Sequence, residues 1–220
     1  MNLKTIFSVS LTVMALLSGS RYGMAGAAVP YYPLERLENR VDSSEIAFSY
    51  TYRALNGNVS MTGQGNVVLQ GDAFILDVNG MEIYCDGTTR WTLDRKAEEM
   101  VIESYDSHSE DLSANPAILL RRLTAFFEVS SQSGTEYSGE KAIKVDLTPK
   151  SYPQFRSVTL YFRSGQPDSD ILIGASIAAA DGTVTDFMIS DFRYGPKGDA
   201  DRFSFDEKSL GPDWIITDLR

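Results

Sequence analysis

The chain carries few residues that could make or break a covalent bond. Histidine and cysteine each occur once in 220 residues, as His108 and Cys85. A Ser-His-acid mechanism would have to use His108, whose neighbours in residues 106–110 are polar and offer no apolar flank to exclude water. We therefore interpret His108 as a solvated loop side chain. The sequence also contains no G-x-S-x-G motif, phosphate-binding loop or dinucleotide fingerprint, so we expect no enzyme.

Acidic side chains leave two alternatives open. Asp106, Glu110 and Asp111 could form a carboxylate-only calcium site, although no loop has EF-hand spacing. Two acids could also meet in space as a glycoside hydrolase pair. Most acids, however, fall on the polar faces of predicted strands or in turns, where solvation is their ordinary role. We expect neither a metal nor a cofactor, because His and Cys ligands are also too few for a zinc site.

The lone cysteine bears on stability more than on chemistry. Cys85 ends an apolar predicted strand just before a turn, and no histidine lies near it in sequence to activate it. A buried thiol is the expected state. With one cysteine the chain cannot form an internal disulfide, so the domain must rely on its hydrophobic core.

The segment 64–103 predicts an up-and-down antiparallel sheet. The residue pairs Gly71-Asp72, Asn79-Gly80 and Asp86-Gly87 supply the positive φ angles of hairpin turns. Between and beside these turns, short runs with strand-like composition are separated by a few residues each. The predicted strands are 65–70, 73–78, 81–85, 90–93 and 99–102.

Alternation predicts further strands and two helices outside that segment. Leu34, Leu37 and Val41 recur at helical spacing, which predicts an amphipathic helix from Pro33 to about Asp42. A second helix is predicted from Ala117 to about residue 129, opened by Asn115-Pro116. Further strands are predicted at 46–52, 142–147, 155–163, 171–180, 184–189 and 202–205. About ten strands with two helices predict a mainly β (α+β) fold whose large antiparallel sheet must curl.

The second predicted helix has an unusually wide apolar surface. Ile118, Leu119, Leu120, Leu123 and Phe126 all fall within it, so the helix must press on other apolar groups. Two interpretations remain at this point. The helix could fill the core, or it could act as a movable lid over a cavity.

The N-terminal residues have the features of a secretory signal. Lys4 lies ahead of an apolar run at 6–17, and Ala25-Gly26-Ala27 offers small residues for cleavage. We expect a signal peptide at 1–27, cleaved near Ala27, and a single domain at 28–220 in an exported protein. The formal net charge of −10 disfavours nucleic acid and anionic lipid headgroups as partners.

Several segments, taken in order, resemble the LolA-type periplasmic outer-membrane lipoprotein carrier family. The resemblance covers residues 34 to about 205. Each motif is weak alone, but their order and spacing together are fairly specific. The matching motifs are Phe48-Ser49-Tyr50-Thr51, Gly63-Gln64-Gly65-Asn66-Val67, Tyr84-Cys85-Asp86-Gly87-Thr88-Thr89-Arg90-Trp91, Asn115-Pro116-Ala117-Ile118-Leu119-Leu120 and Asp146-Leu147-Thr148-Pro149-Lys150.

This resemblance implies an unclosed β-barrel with a helical lid over a hydrophobic cavity that binds acyl chains. It implies a monomeric chaperone that takes acylated lipoproteins from an inner-membrane release complex to an outer-membrane acceptor. Leu119, Leu120 and Leu123 would form the lid. The alternation of apolar and polar residues along each predicted strand indicates which side chains would face the cavity. They are Phe48, Tyr50, Val67, Leu69, Phe74, Leu76, Trp91, Leu93, Met100, Leu147, Leu160, Phe162, Phe187 and Ile189.

The sequence departs from the family at one position that concerns how the lid is held shut and which cargo is bound. At the turn near Gln70-Gly71-Asp72, the resemblance would place an arginine, before a proline, that helps to hold the lid shut. This chain has no basic residue there. A non-transporting module of the same fold, sensing lipoproteins or assisting envelope assembly, is the alternative function, and a filled interior would be its sign.

Overall fold

The computed structural model describes residues 33–106, 120, 123–165 and 170–220. The predicted signal peptide, His108, Asn115-Pro116 and Leu119 lie outside these ranges. The division of the chain at Ala27 therefore stays a prediction. No helix within the described ranges is long and apolar enough to cross a membrane.

The first half of the chain forms one helix and six strands. Helix α1 buries Leu34, Leu37 and Val41, as their helical spacing predicts. The predicted strands are all present, although β1 and β2 are longer than the alternation indicated. The elements are α1 Pro33–Ser43, β1 Glu45–Asn56, β2 Val59–Gln70, β3 Ala73–Val78, β4 Met81–Cys85, β5 Thr89–Asp94 and β6 Glu99–Ser104.

The second half adds a short helix, six strands and two turns of 3-10 helix. The 3-10 turns span Ala200–Phe203 and Glu207–Ser209 and lie within the C-terminal segment, which we define as residues 196–220. The other elements are α2 Leu123–Phe126, β7 Phe127–Tyr137, β8 Glu140–Pro149, β9 Phe155–Arg163, β10 Leu172–Ala179, β11 Val184–Gly195 and β12 Ile215–Asp218.

All the strands belong to one twelve-stranded sheet, in the order β12-β6-β5-β4-β3-β2-β1-β11-β10-β9-β8-β7. Its pairs are antiparallel except for β12, which lies parallel to β6. Strands β12 and β7 are the two edges, so the curled sheet is unclosed. The predicted mainly β fold with an open, curled sheet is confirmed.

The turn chemistry explains why local sequence predicted this sheet so well. Asn79 and Gly80 have φ angles of 53° and 86°, the left-handed pair that a two-residue hairpin between β3 and β4 needs. Because that turn fixes the register of its two strands, Phe74, Leu76 and Val78 lie opposite Cys85, Ile83 and Met81.

Two element predictions are wrong. The second helix was predicted to reach residue 129, but it ends at Phe126 and β7 begins at Phe127. Pairing of Phe127 with Pro149 and Val129 with Leu147 places that apolar run in the sheet, so tertiary contacts override helix periodicity. The strand predicted at 202–205 is instead the end of a 3-10 turn, with Phe203 buried.

Candidate binding cavity

The two helices cover one face of the sheet, which we call the inner face. Directly paired residues project to the same face of a sheet, and alternate residues to opposite faces. The pairs Ile46–Leu69–Phe74 and Phe48–Val67–Leu76 therefore mark the inner face across β1, β2 and β3. Leu34, Leu37 and Val41 of α1, with Leu120, Leu123 and Phe126, belong to the same buried hydrophobic cluster.

A cavity of about 130 Å³ lies between the inner face and the covering residues. Leu120 and Leu123 line it from the cover, and the remaining lining comes from β1, β2, β9, β10 and β11. Every lining side chain is aliphatic or aromatic, with the Tyr50 hydroxyl as its one polar group. The lining residues are Phe48, Tyr50, Val67, Leu120, Leu123, Val158, Leu160, Leu172, Ala175, Ile177, Phe187 and Ile189.

Most residues predicted for the cavity lie on the inner face, and they fall into two groups there. Those of β1 and β11, with Val67 and Leu160, line the cavity itself. The others are packed into the hydrophobic cluster around it, without reaching the open space. The first group is Phe48, Tyr50, Val67, Leu160, Phe187 and Ile189, and the second is Leu69, Phe74, Leu76, Leu147 and Phe162. Their role in binding an acyl chain stays a prediction.

Trp91, Leu93 and Met100 lie on the opposite, outer face, so their predicted place in this cavity is wrong. Trp91 pairs with Tyr84, the residue between Ile83 and Cys85, whose side chains point inward. The three side chains belong to a separate outer-face cluster with Ile102. Phe205, Leu210 and Trp214 of the C-terminal segment pack against that cluster.

Some cavity residues were missed by sequence reasoning. Val158 alternates with Leu160 on β9, and that signal could have found it. Ala175 and Ile177 lie on β10, where both faces carry small or apolar residues and Ser176 is the one polar side chain, so alternation is weak. Pairing of Ala175 with Phe187 and Leu160 is what places it on the inner face.

Aromatic rings run along the inner face from the cavity toward the β1–β2 turn. The Tyr50 ring lies 6.3 Å from Phe48, 5.8 Å from Phe187 and 6.4 Å from Tyr52, measured between ring centroids. A β-carbon at Gly65 would lie 2.5 Å from the Tyr50 hydroxyl, so glycine is needed for the ring to lie flat on β2.

The cavity lining carries no charge at ordinary pH. Burial, with smaller contributions from Tyr52 and Asp77, raises the pKa of the Tyr50 hydroxyl to about 12. The hydroxyl is therefore neutral across the physiological range, and the lining favours an apolar guest.

Helix α1 is fixed to α2 by a carboxylate. Glu38 accepts hydrogen bonds of 2.7 Å from both the Thr124 amide and the Thr124 hydroxyl, through separate oxygens. Lys150 donates to the Thr124 carbonyl at 2.6 Å. A carboxylate that accepts from the first turn of a helix is stabilised by the free N–H groups there, so Glu38 couples the two covering elements.

Helix α1 is also fixed to the sheet side by an ion pair. Arg40 Nε lies 2.9 Å from Asp170 Oδ2, and the exposed side-chain fractions are 46% and 3% respectively. The contact is an ion pair without hydrogen-bond geometry at that oxygen. The guanidinium carbon lies 4.6 Å above the Tyr194 ring, and the Tyr194 hydroxyl donates to the Asp170 carbonyl at 3.0 Å.

Gln70 lies at the β2–β3 turn, near which the resemblance would place a basic residue. Its side-chain amide donates to the Gly198 carbonyl at 3.2 Å, and its carbonyl accepts from the Gly198 amide at 2.7 Å. These bonds connect β2 to the C-terminal segment, so this position stabilises the cover of the outer face.

Cys85 is buried, as predicted, and burial raises its thiol pKa to about 12. Among the described residues, no group of three or more His, Cys, Asp or Glu side chains is arranged to hold a metal ion. Asp106 is described, but the other members of the alternative calcium site, Glu110 and Asp111, lie outside the described ranges.

Comparison with solved structures finds several similar chains. An uncharacterized conserved protein from Thermus thermophilus is similar, with a TM-score of 0.51 and 11% identity over 84% of this chain and 96% of that one. A LolA superfamily protein from Nitrosomonas europaea has a TM-score of 0.44 and 12% identity, covering 79% and 96%. The MucA/MucB complex of Pseudomonas aeruginosa has a TM-score of 0.39 and 13% identity, covering 79% and 60%. At 11% identity, the likeness to the Thermus thermophilus protein concerns the fold alone.

No curated protein matches the chain in sequence. A family model described as "Outer membrane lipoprotein carrier protein LolA" matches residues 39–206, which is well over half of the chain. The matched range includes β1 to β11 and the residues that line the cavity. The chain therefore belongs to the LolA family.

Proposed function

We propose that this protein is an exported carrier that binds the acyl chains of lipoproteins beneath its helical cover and delivers them toward the outer membrane. The observation that supports this most is the uncharged cavity enclosed by the inner face with Leu120 and Leu123. An acyl chain is the ligand class that such a lining favours, because burial of methylene groups requires no polar partner.

The cavity must enlarge to accept this cargo. A volume of about 130 Å³ is below the ~300–1,000 Å³ of ordinary ligand sites. Burying a ~16-carbon chain is worth about 12 kcal/mol at ~0.8 kcal/mol per methylene, so cargo can drive an opening that costs several kcal/mol. Displacement of Leu120 and Leu123 from the inner face is the smallest change that adds space, and its cost keeps affinity low enough for release.

The cover is held by the anchors of α1. In the absence of an arginine at the β2–β3 turn, the Glu38–Thr124 bonds and the Arg40–Asp170 pair take the role of latch. Release of either frees α1 or α2 without breaking any strand pairing of the sheet, so the cover opens while the sheet keeps its shape.

We propose the remaining features of the carrier from the resemblance to the family. The protein acts in the periplasm after cleavage near Ala27 and takes cargo from an inner-membrane release complex. It passes that cargo to an outer-membrane acceptor. It works as a monomer and performs no covalent chemistry on the lipoprotein.

A cavity-filling variant tests acyl binding directly. Ala175→Leu places extra methylenes in the cavity, so we expect at least tenfold weaker binding of a palmitoyl ligand with nearly unchanged stability. Ala178→Leu is the matched control, because Ala178 pairs with Val184 and Ser157 on the outer face of the same strand. Equal palmitoyl affinity in both variants would contradict the proposed site. Failure of the wild-type protein to extract or hold a lipoprotein from membranes would contradict the carrier function.

The small volume of the closed cavity favours a second candidate function. A non-transporting module that senses lipoproteins or assists envelope assembly needs no room for a whole acyl chain. For such a module we expect palmitoyl binding to be undetectable even at saturating ligand. The same titration of wild-type protein therefore separates the two functions.

A further inference from the structure

Strand β2 extends past its neighbour β3 and leaves an open sheet edge. On that side, within the described ranges, β2 pairs only with β3, and the pairing ends at Gly65 opposite Val78. On its other side β2 stays paired with β1 as far as Val59. We call residues Val59–Gly63 the distal β2 edge.

The backbone groups that point out of this edge can be identified from Gln64. Its carbonyl accepts from the Asn79 amide, and its amide donates to the Asn79 side chain, both at 3.2 Å. Alternate residues of a strand direct their backbone groups to the same side. The N–H and C=O groups of Thr62 and Ser60 therefore point away from β1, as those of Gln64 do.

The distal β2 edge lacks the features that protect sheet edges from pairing. Natural edges carry charges, prolines, bulges or very short strands. At one sheet end, β7 has Glu128, Glu136 and a bulge near Val129. At the other, β12 has only four residues, with an ion pair between Asp218 and Arg220. By contrast, no charged residue or proline occurs anywhere in residues 54–71.

On the inner face, the exposed side chains of this edge are apolar. Val59 is 70% exposed and Met61 is 58% exposed. Met61 pairs with Ala54 and Val59 with Asn56, which places both on the inner face beyond Tyr52. Among the described residues, the edge therefore combines unpaired backbone groups with an apolar surface on the inner face, as strand-adding peptide sites do.

The edge is continuous with the cavity. Tyr52 pairs with Gly63, and its ring lies next to Tyr50, which lines the cavity. From Gly65 beside Tyr50 to Gly63 the backbone advances about 7 Å, at ~3.4 Å per residue. A polypeptide whose acyl chain enters the cavity needs only about two extended residues to come alongside the edge.

We propose that the distal β2 edge binds the extended peptide that follows the acylated residue of the cargo, as an added β-strand. This inference rests on the proposed function, because the acyl chain in the cavity is what brings the peptide to the edge. A second copy of the chain is the less favoured occupant, since two molecules of net charge −10 repel each other. Backbone pairing explains how a carrier accepts many cargo sequences, because main-chain hydrogen bonds do not depend on side chains.

A proline variant tests the edge. Thr62→Pro removes an N–H that points away from β1, so the β1–β2 pairing is retained. Thr62→Ala is the matched control, because it also removes the threonine hydroxyl but keeps the backbone N–H. The ligands are palmitate, a palmitoylated ten-residue peptide and the same peptide without palmitate. We expect the palmitoylated peptide to bind wild type and Thr62→Ala about tenfold more tightly than it binds Thr62→Pro. Palmitate should bind all three equally.

Two further measurements keep the test independent of folding. A palmitoylated peptide with N-methylated backbone amides lacks the donors, and we expect it to bind wild-type protein about tenfold more weakly than the unmodified one. Amide hydrogen exchange at Ser60 and Thr62 should slow with the palmitoylated peptide and not with palmitate.

The outcomes separate this inference from the proposed function. If palmitate binds but neither the proline nor the N-methyl groups weaken peptide binding, the edge proposal is overturned and acyl binding stands. If neither palmitate nor the palmitoylated peptide binds wild type, the proposed function fails and this inference with it. A wild-type dimer that Thr62→Pro dissociates would assign the edge to a second copy and overturn the proposal.

Discussion

The inner-face cavity and the outer-face cluster are built from the same kind of strand, yet they are closed in different ways. Over the cavity lie short helical elements held by the side-chain contacts of Glu38 and Arg40. Over the outer-face cluster lies the C-terminal segment, whose β12 is hydrogen-bonded into the sheet beside β6. We infer from this comparison that side-chain anchors suit the cover that the proposed function requires to move, whereas backbone pairing suits a cover that stays in place.

The outer-face cluster is also packed more tightly than the inner face around the cavity. Leu93 and Ile102 are fully buried in the outer-face cluster, and the Trp91 indole donates to Glu207 at 3.2 Å. The inner face keeps a void of about 130 Å³ beneath Leu120 and Leu123. We infer that the outer-face cluster contributes more to the free energy of unfolding. The inner face contributes less, because the void that would accept a ligand leaves some of its side chains without packing partners.

Truncation in the outer-face cluster should have the largest effect. For Leu93→Ala we expect a loss of about 2–5 kcal/mol in the free energy of unfolding, because a cavity is left in a fully buried site. Urea denaturation measures it, with Ile215→Ala as control, since Ile215 is 61% exposed and should change stability by less than about 0.5 kcal/mol. Palmitoyl affinity of the folded Leu93→Ala protein should equal that of wild type. Loss of affinity there would show that the two regions are not separate.

Removal of the ion pair on α1 should have the next largest effect. Arg40→Met leaves the buried Asp170 carboxylate without its cation, which we expect to cost about 1–3 kcal/mol, less than a fully buried pair because Arg40 is partly solvated. Hydrogen exchange should quicken at α1 amides while β6 amides keep their protection. Asn39→Met is the control on the exposed face of the same helix. Equal acceleration in α1 and β6 would contradict a separately moving cover.

Alkaline pH should weaken the fold through Cys85, which is buried in the hydrophobic cluster of the inner face. Its thiol pKa is raised from 9.0 to about 12 in the folded chain, so the unfolded state loses its proton first. The stabilisation is complete below pH 9 and is lost as pH rises toward 12. By pH 10.5 we expect a loss of about 1–2 kcal/mol. Urea titrations at pH 8 and pH 10.5 measure how far the free energy of unfolding falls between them. We expect a smaller fall for Cys85→Ala than for wild type. An equal fall in both proteins would show that the Cys85 thiol is not the cause.

The smallest effect is expected from the indole hydrogen bond. Trp91→Phe removes the donor to Glu207 and a little ring volume, which should cost about 1 kcal/mol of unfolding free energy. Glu207→Gln keeps an acceptor and serves as the control. Thermal denaturation of both variants measures the difference. A shift in palmitoyl affinity for Trp91→Phe would place Trp91 near the ligand and overturn its assignment to the outer face.

Most of the sheet could be predicted because its determinants are local. Asn79-Gly80 and Asp181-Gly182 set hairpin turns, and alternation between them sets the strands. The predictions failed where a distant segment decided the outcome. Phe127 looks helical by composition, yet it pairs with Pro149 in the sheet. Nothing in the sequence near Thr62 indicates that β3 stops short of it and that no other described strand pairs with Thr62 on that side.

The sequence by itself determined which residues are apolar, where the chain turns and which side chains share a face within each strand. Tertiary structure alone decided which of the two faces is the inner one at each strand. At β5 the apolar side chains Trp91 and Leu93 point outward, because Phe205, Leu210 and Trp214, more than a hundred residues later, cover that side. Alternation fixes a side chain's face only relative to its own strand. The hydrophobic effect then buries whichever face the rest of the chain covers.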